Sequence, residues 1–479
     1  MKKLFLFSWI LFAANFSQAQ WEPDVRLTND ADSSVTSYNM AWCIATSGDF
    51  VHAVWSDNRD GNWEIYYKRS ADGGVNWEAD ERLTNDPAIS SSPAIAVSGN
   101  VVHVVWNDYR DGNWEIYYKR STDEGLSWGT DTRLTFDPAL SNPPVISVSG
   151  LVVHIVWRDN RDGNNEIYYK RSTDGGVSWE PDIRLTNDNS WSYNPSIATS
   201  GSDVHVVWND ERNGNLEIYY KRSEDGGINW GEDTRLTNTG ATSQLPSIAA
   251  SGPNVHLVWD EYHSSSNYEI HYKRSMDGGI SWDNDLRLTD AFGYSICPNL
   301  FLSGSVVHLV WQDDREGDYG IYYKRSEDGG INWGADTLLS NNGFMRSKHS
   351  SVSVSGSVVH VVWYDNRDGN NEIYYKRNPL GGFPVGTDNK LAGNSDQQIS
   401  IYPNPAFKVL DIKFNSLSGE NLALRLIDVS GRSVGSYKLE SNKGMNQYAI
   451  DLNDFNNGLY FIEFATGSQK YFRKIVIRK

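Results

Sequence analysis

The sequence repeats itself. The pair Val-His followed by an apolar residue, Val and Trp recurs with its histidine at positions 52, 103, 154, 205, 256, 308 and 360, at intervals of 51, 51, 51, 51, 52 and 52 residues. A unit of this length cannot bury its apolar faces alone and must stack on its neighbours. One unit reads P-x-I-A-x-S-G, then V-H-x-V-W-x-D-x-R-D-G-N, then E-I-Y-Y-K-R-S-x-D-G-G-x-x-W, then D-x-R-L-T-N. Each piece is a short run rich in Val, Ile, Tyr and Trp, bounded by Gly, Asn and Asp, which is the signature of a β-strand. Asp60-Gly61 marks the hairpin between the second and third pieces, because Asp-Gly accepts the positive φ of such a turn. Four antiparallel strands repeated seven times predict an all-β fold, a seven-bladed β-propeller of four-stranded blades.

The chain ends predict how such a ring closes. The seventh unit stops after its third strand: Asn378-Pro379-Leu380 follows Arg377, with no R-L-T strand. The segment Trp21 to Asp30 matches Trp179 to Asp188 at every position except Val25, where the other copy has Ile183. The N-terminal strand is therefore expected to complete the last blade, which removes the exposed edges of an open stack.

Ser70-Ala71-Asp72-Gly73-Gly74-Val75-Asn76-Trp77 resembles the Asp-box, or BNR repeat, of sialidases and related propellers. The pattern returns at Ser121 to Trp128, Ser172 to Trp179, Ser223 to Trp230, Ser275 to Trp282 and Ser326 to Trp333. The resemblance implies a structural box, in which Asp72, Asp123, Asp174, Asp225, Asp277 and Asp328 accept backbone N–H bonds across a tight turn. After the repeats, Tyr402-Pro403-Asn404-Pro405, Asp428-Val429-Ser430-Gly431-Arg432, Asn457-Gly458-Leu459-Tyr460 and the basic end Arg473 to Lys479 resemble the C-terminal sorting domain of type IX secretion in Bacteroidetes. That resemblance implies a small β-sandwich, contact with the type IX machinery, and removal of the tail with release or surface attachment.

The expected organisation is a signal peptide at 1–19, the propeller at 20–378, a linker at 379–397 and the sorting domain at 398–479. Lys2 and Lys3 precede the apolar run Leu4 to Ala14, and Ser17-Gln18-Ala19 offers a cleavage site. No later apolar run reaches the roughly 20 residues that a spanning helix needs. Export to the outside of the cell, as a monomer, is expected. With 43 basic and 61 acidic side chains the net charge is −18, which argues against nucleic acid as a partner. Cys43 and Cys297, on blades that are not neighbours, are expected to stay free.

Chemistry is expected on the face that holds the loops between second and third strands, opposite the Asp-boxes. Pairs such as Asp57 and Arg59, Asp108 and Arg110, or Asp365 and Arg367 surround that mouth. Two readings stand for them: an array for sugar recognition, or hairpin-fixing ion pairs. The seven repeated histidines read as buried and hydrogen-bonded, with no metal; no cofactor is expected. The D-x-R-D-G-N loops carry an Arg where a calcium ligand belongs, so they read as turns.

Residues that break the repeat are the better ligand-binding candidates, because packing alone accounts for those that obey it. These are Tyr262 and His263 in blade 5, Phe344, Arg346, Lys348 and His349 at the start of blade 7, Trp191 and Tyr193 at the start of blade 4, and Tyr294 at the start of blade 6. Aromatic rings beside hydrogen-bonding groups suit sugar faces, and the basic cluster suits an acidic sugar. No catalytic residue is assigned. A sialidase would need an arginine triad and usually an Arg-Ile-Pro motif, which is absent; a polysaccharide lyase would need a Tyr/His pair such as Tyr262 and His263. The favoured expectation is a secreted module that binds a glycan or surface protein without catalysis, with the sialidase and the lyase as alternatives.

Overall fold

The computed structural model describes residues 21–37, 42–264, 267–340, 346–379, 399–402, 408–416, 422–428, 433–440, 442–456, 458–466 and 469–477. The expected signal peptide, Phe344 and nearly all of the linker lie outside them. The chain is all-β, with no helix among the described residues. It divides into two compact units, one within Ser17–Val385 and one reaching from Gly386 to Lys479.

Repeat 3 illustrates the local architecture. Val145–Ser149, Val152–Asp159, Glu166–Ser172 and Ile183–Arg184 form a four-stranded antiparallel sheet in that order. The second strand pairs Val156 with Tyr169 and Trp157 with Tyr168. It is buried on both faces, which explains why it reads as a nearly unbroken apolar run. Trp55, Trp106, Trp157, Trp208, Trp259, Trp311 and Trp363 all lose their solvent contact completely or nearly so. The fourth strand is only two residues long, so the outer edge of each sheet is short.

The N-terminal segment behaves as its sequence predicts. Val25–Arg26 pairs antiparallel with Glu372–Asn378, in register Val25 to Tyr375 and Arg26 to Tyr374. It thereby becomes the fourth strand of the sheet that holds Ser347–Ser355 and Val358–Asp365. The first strands of successive repeats touch in order, and Ser347–Ser355 of repeat 7 touches Ile44–Ser47 of repeat 1.

Neighbouring sheets are joined through the Asp-box. Asp72 accepts from the backbone N–H of Val75 and Asn76, while Ser70 Oγ accepts from Gly74 N. Gly74 has φ +80°, and a Cβ there would lie 1.9 Å from the Tyr375 hydroxyl of the preceding repeat. Glycine is required because that tyrosine occupies the space of a side chain. Trp77 then packs edge-on against the same Tyr375 ring at 4.9 Å. The contact recurs as Trp128 on Tyr67, Trp179 on Tyr118, Trp230 on Tyr169, Trp282 on Tyr220, Trp333 on Tyr272 and Trp21 on Tyr323.

The C-terminal unit has a three-stranded sheet, Ile399–Tyr402, Val409–Ser416 and Gly444–Asp451, and a four-stranded sheet, Ser433–Leu439, Leu422–Asp428, Gly458–Thr466 and Gln469–Ile477. Leu410, Ile412 and Ile450 of the first share one apolar core with Leu424, Leu426, Ile462 and Ile475 of the second.

Candidate functional site

The repeated Asp/Arg pairs are internally satisfied. Arg59 donates through Nε and Nη2 to the two oxygens of Asp57, at 2.9 and 2.5 Å, and through Nη1 to Asp80 at 2.7 Å. Its guanidinium lies 4.4 Å from the centre of the Tyr66 ring. Asp57 is fully buried and also accepts from Ser34 and the Trp55 indole. Burial opposes its ionisation, but these donors hold its pKa below the usual carboxylate range. Arg110, Arg161, Arg212, Arg315 and Arg367 repeat the arrangement with Asp131, Asp182, Asp233, Asp336 and Asp24. These guanidiniums are held by the fold, with only Arg367 Nε left without an acceptor, so among the described residues they form no open triad for a substrate carboxylate.

The repeated histidines are structural too. His52 Nδ1 bonds the Tyr67 hydroxyl at 2.6 Å, and the other six repeat it with Tyr118, Tyr169, Tyr220, Tyr272, Tyr323 and Tyr375. Burial, then the Arg69 cation, pushes His52 down to about 4, so it is neutral at pH 7. The first strands line a cavity of about 270 Å³ beside Trp42, Ile95, Val148, Ala249 and Phe301, and none of its described lining residues titrates.

Repeat 5 departs from this frame. Its second and third strands run longer, Asn254–Ser264 and Asn267–Ser275. The third strand then pairs in parallel with the first strand of repeat 6, Asn267 to Gly293 and Tyr268 to Tyr294, which fuses two sheets into one of eight strands. Tyr262 lies 5.1 Å from Tyr268, and Tyr268 lies 5.6 Å from Tyr294, ring centre to ring centre. All three rings are partly exposed. Across the next junction Lys348 sits 5.4 Å over the Tyr319 ring. Arg346 is 63% exposed on its side chain, and its nearest carboxylate is Asp318 at 3.7 Å. The sheet extension thus sets three tyrosines along one edge, and the start of repeat 7, in the next sheet, carries two cations beside an acceptor, Asp318.

The other sequence candidates fall as follows. His349 does not add to the positive charge: burial, then Lys348, pushes it down to about 4, and its ring stacks on Tyr364 at 5.6 Å. Tyr262 and His263 are adjacent but diverge, because Tyr262 meets Tyr268 while His263 turns to His271. The two rings thus meet different partners, and the strand pairing shifts register between Tyr262 and Ser264. Trp191, half-exposed, and Tyr193 make their own edge-to-face pair at 5.8 Å in repeat 4. Cys43 and Cys297 are buried, free thiols.

Sequence reasoning missed Tyr268, Tyr319 and Asp260. Tyr268 and Tyr319 stand where repeats 1 to 3 have Trp63, Trp114 and Asn165, a signal that alignment of the third-strand starts exposes. Asp260 follows Trp259 at the position of Ser56, Asn209 and Gln312, which accept a backbone N–H from the next sheet. Asp260 accepts likewise from Cys297 N at 3.2 Å, and burial pushes it up to about 8, so it serves as a neutral acid in an amide's place.

Residues 9–215 match the BNR repeat-like domain family, and residues 400–478 match the secretion system C-terminal sorting domain family. The chain thus joins a BNR repeat-like domain to a secretion sorting domain. It is a protein of the type IX secretion route, sent to the cell surface or extracellular space, and its tail engages that system. Among solved structures it resembles a PL25 ulvan lyase bound to -[GlcA(1-4)Rha3S]-, at 10% identity and TM-score 0.56, covering 74% of this chain and 95% of that one. It also resembles the polysaccharide lyase Uly1, at 9% identity and TM-score 0.51, covering 71% and 90%. A Trypanosoma rangeli sialidase matches at 10% identity and TM-score 0.45, covering 94% and 88%. No curated protein sequence matches. These likenesses concern the fold.

Proposed function

We propose that the repeats form a closed seven-bladed β-propeller over residues 20–378, carried to the cell exterior by a signal peptide and by the 398–479 tail, and that it binds an acidic glycan without catalysis. The ring contacts of the first strands and the Trp21–Tyr323 and Trp77–Tyr375 packings support the closure. The binding site is the tyrosine edge of repeats 5 and 6, with Tyr262, Tyr268 and Tyr294 as stacking surface and Arg346 and Lys348 as donors to the acid group.

The observation that carries this reading is the fusion of two sheets at Tyr268 and Tyr294, where an otherwise repetitive ring becomes asymmetric. A binding module needs only such a surface. A sialidase would need arginines that the fold has already paired, and a lyase would need Tyr262 and His263, which meet different partners, to act together. A glycan array run beside sialoside and uronate-polysaccharide turnover assays tests the proposal. Binding to acidic glycans without turnover supports it; turnover abolished by one substitution at this edge would replace it with an enzyme.

A further inference from the structure

In repeat 1 the trio Asp57, Arg59 and Tyr66 is closed by the guanidinium, which bonds both carboxylate oxygens and covers the ring. In repeat 5 the same three positions hold Glu261, His263 and His271. The change replaces a fixed cation by lone pairs: one carboxylate and two imidazoles. Their ligating atoms all lie within 4.8 Å of one another. We propose that Glu261, His263 and His271 bind one divalent first-row metal ion of the zinc class.

Three observations support the site independently of that coincidence. First, Glu261 is buried, at 5% exposure, yet among the described residues no basic side chain forms an ion pair with it. A buried carboxylate without a counter-cation is costly. Its remaining donors are long, Ser243 at 3.2 Å and the Trp259 indole at 3.3 Å, where Asp108 of repeat 2 holds the equivalents at 2.8 Å. Second, repeat 5 lacks the cation that caps this carboxylate elsewhere: Asp57 of repeat 1 meets Arg59, whereas Lys273 and Arg287 of repeat 5 are engaged by Asp285 and Glu269. Third, His263 Nε2 and His271 Nε2 face each other at 2.9 Å, so one shared proton stands where two lone pairs converge.

A tetrahedral zinc with bonds of about 2.1 Å would hold two imidazole nitrogens about 3.4 Å apart. The rings therefore need to part by about half an ångström, and His263, which is exposed, has room to withdraw. A carboxylate and two imidazoles suit zinc and its neighbours rather than calcium or magnesium, and three protein ligands leave a position for water or a ligand oxygen.

The test uses the mature chain without an affinity histidine tag. Zn²⁺ is titrated by calorimetry, and bound metal is counted after dialysis. The comparison is Glu261→Asp with His263→Arg and His271→Tyr, which restores the trio that other repeats fold with, so loss of folding is not at issue. We expect one zinc per wild-type chain, a higher melting temperature with zinc, and at least tenfold weaker binding with no such rise in the restored variant. His263→Ala alone should also lose the ion. Absence of one-equivalent binding by the wild type, or equal binding by the restored variant, overturns the site.

Discussion

Arg367 donates through Nη1 to Asp24 at 2.7 Å across 343 residues of chain. It stands where Arg161 meets Asp182 inside a single repeat, at 2.8 Å. Lys376 Nζ meets the other oxygen of Asp24 at 2.7 Å. Removal of residues 21–28 should lower the melting temperature of the whole repeat unit as one transition, because the last sheet loses its outer strand. Asp24→Ala should cost about 2 kcal/mol, since Arg367 then keeps only Asp365 and Lys376 only the Leu339 carbonyl. Thermal and denaturant melts measure both. An unchanged melt after the deletion would show that Val25–Arg26 contributes nothing to the stability of the last sheet.

The second box glycine offers a sharper packing test. Gly176 has φ +80°, and a Cβ there would fall 2.0 Å from the Tyr118 hydroxyl. Gly176→Ala should destabilise by about 3 kcal/mol, combining backbone strain with overpacking. Gly163, with φ +97° and open space around it, supplies the control. Its alanine variant should cost only the strain of about 1 kcal/mol. Equal losses in urea melts would show that the tyrosine seat is unimportant.

Acid should unfold the repeats earlier than their carboxylates suggest. His52, His103, His154, His205 and His256 are pushed down to about 4, and His308 and His360 to about 3, chiefly by burial. A histidine takes up its proton near pH 6.5 when unfolded. The native state is therefore favoured fully above about pH 6.5, and this contribution is lost progressively as pH falls through 4. Denaturant midpoints should hold between pH 8 and 7 and fall steeply between 6 and 4. A flat profile down to pH 4 would contradict the buried, neutral state of these rings.

Much of this was legible because repetition multiplies the signal. Seven copies of Val-His-x-Val-Trp fix strand identity and register together, and the match of Trp21 to Asp30 with Trp179 to Asp188 locates the fourth strand of the last sheet from the sequence alone. The site was harder to read. Phe344 lies outside the described residues, and His349 looked cationic although its surroundings remove its charge. Tyr262 and His263 looked like a pair because adjacency in sequence hides that their rings meet different partners. The parallel pairing of Tyr268 with Tyr294 arises between repeats, at strand extensions that no consensus contains.

Processing of the tail gives a prediction about the exported protein. If 398–479 serves only secretion, the extracellular form should end within the 379–397 linker, and the repeat unit should keep its melting temperature without the tail. Intact-mass measurement of secreted material decides this. A mass that retains Lys479 would mean that the tail stays in place outside the cell.

The tyrosine edge is tested most directly by calorimetric titration of the strongest acidic glycan from an array into the wild type, Tyr268→Ala with Tyr294→Ala, and Arg346→Ala with Lys348→Ala, each with its melt recorded. The account predicts at least tenfold weaker binding in both double variants. It also predicts that raised salt weakens the wild type more than the Arg346/Lys348 variant, because screening acts on the charges that variant lacks. Undiminished affinity in both variants, with melts unchanged, would contradict the account and move the ligand away from repeats 5 to 7.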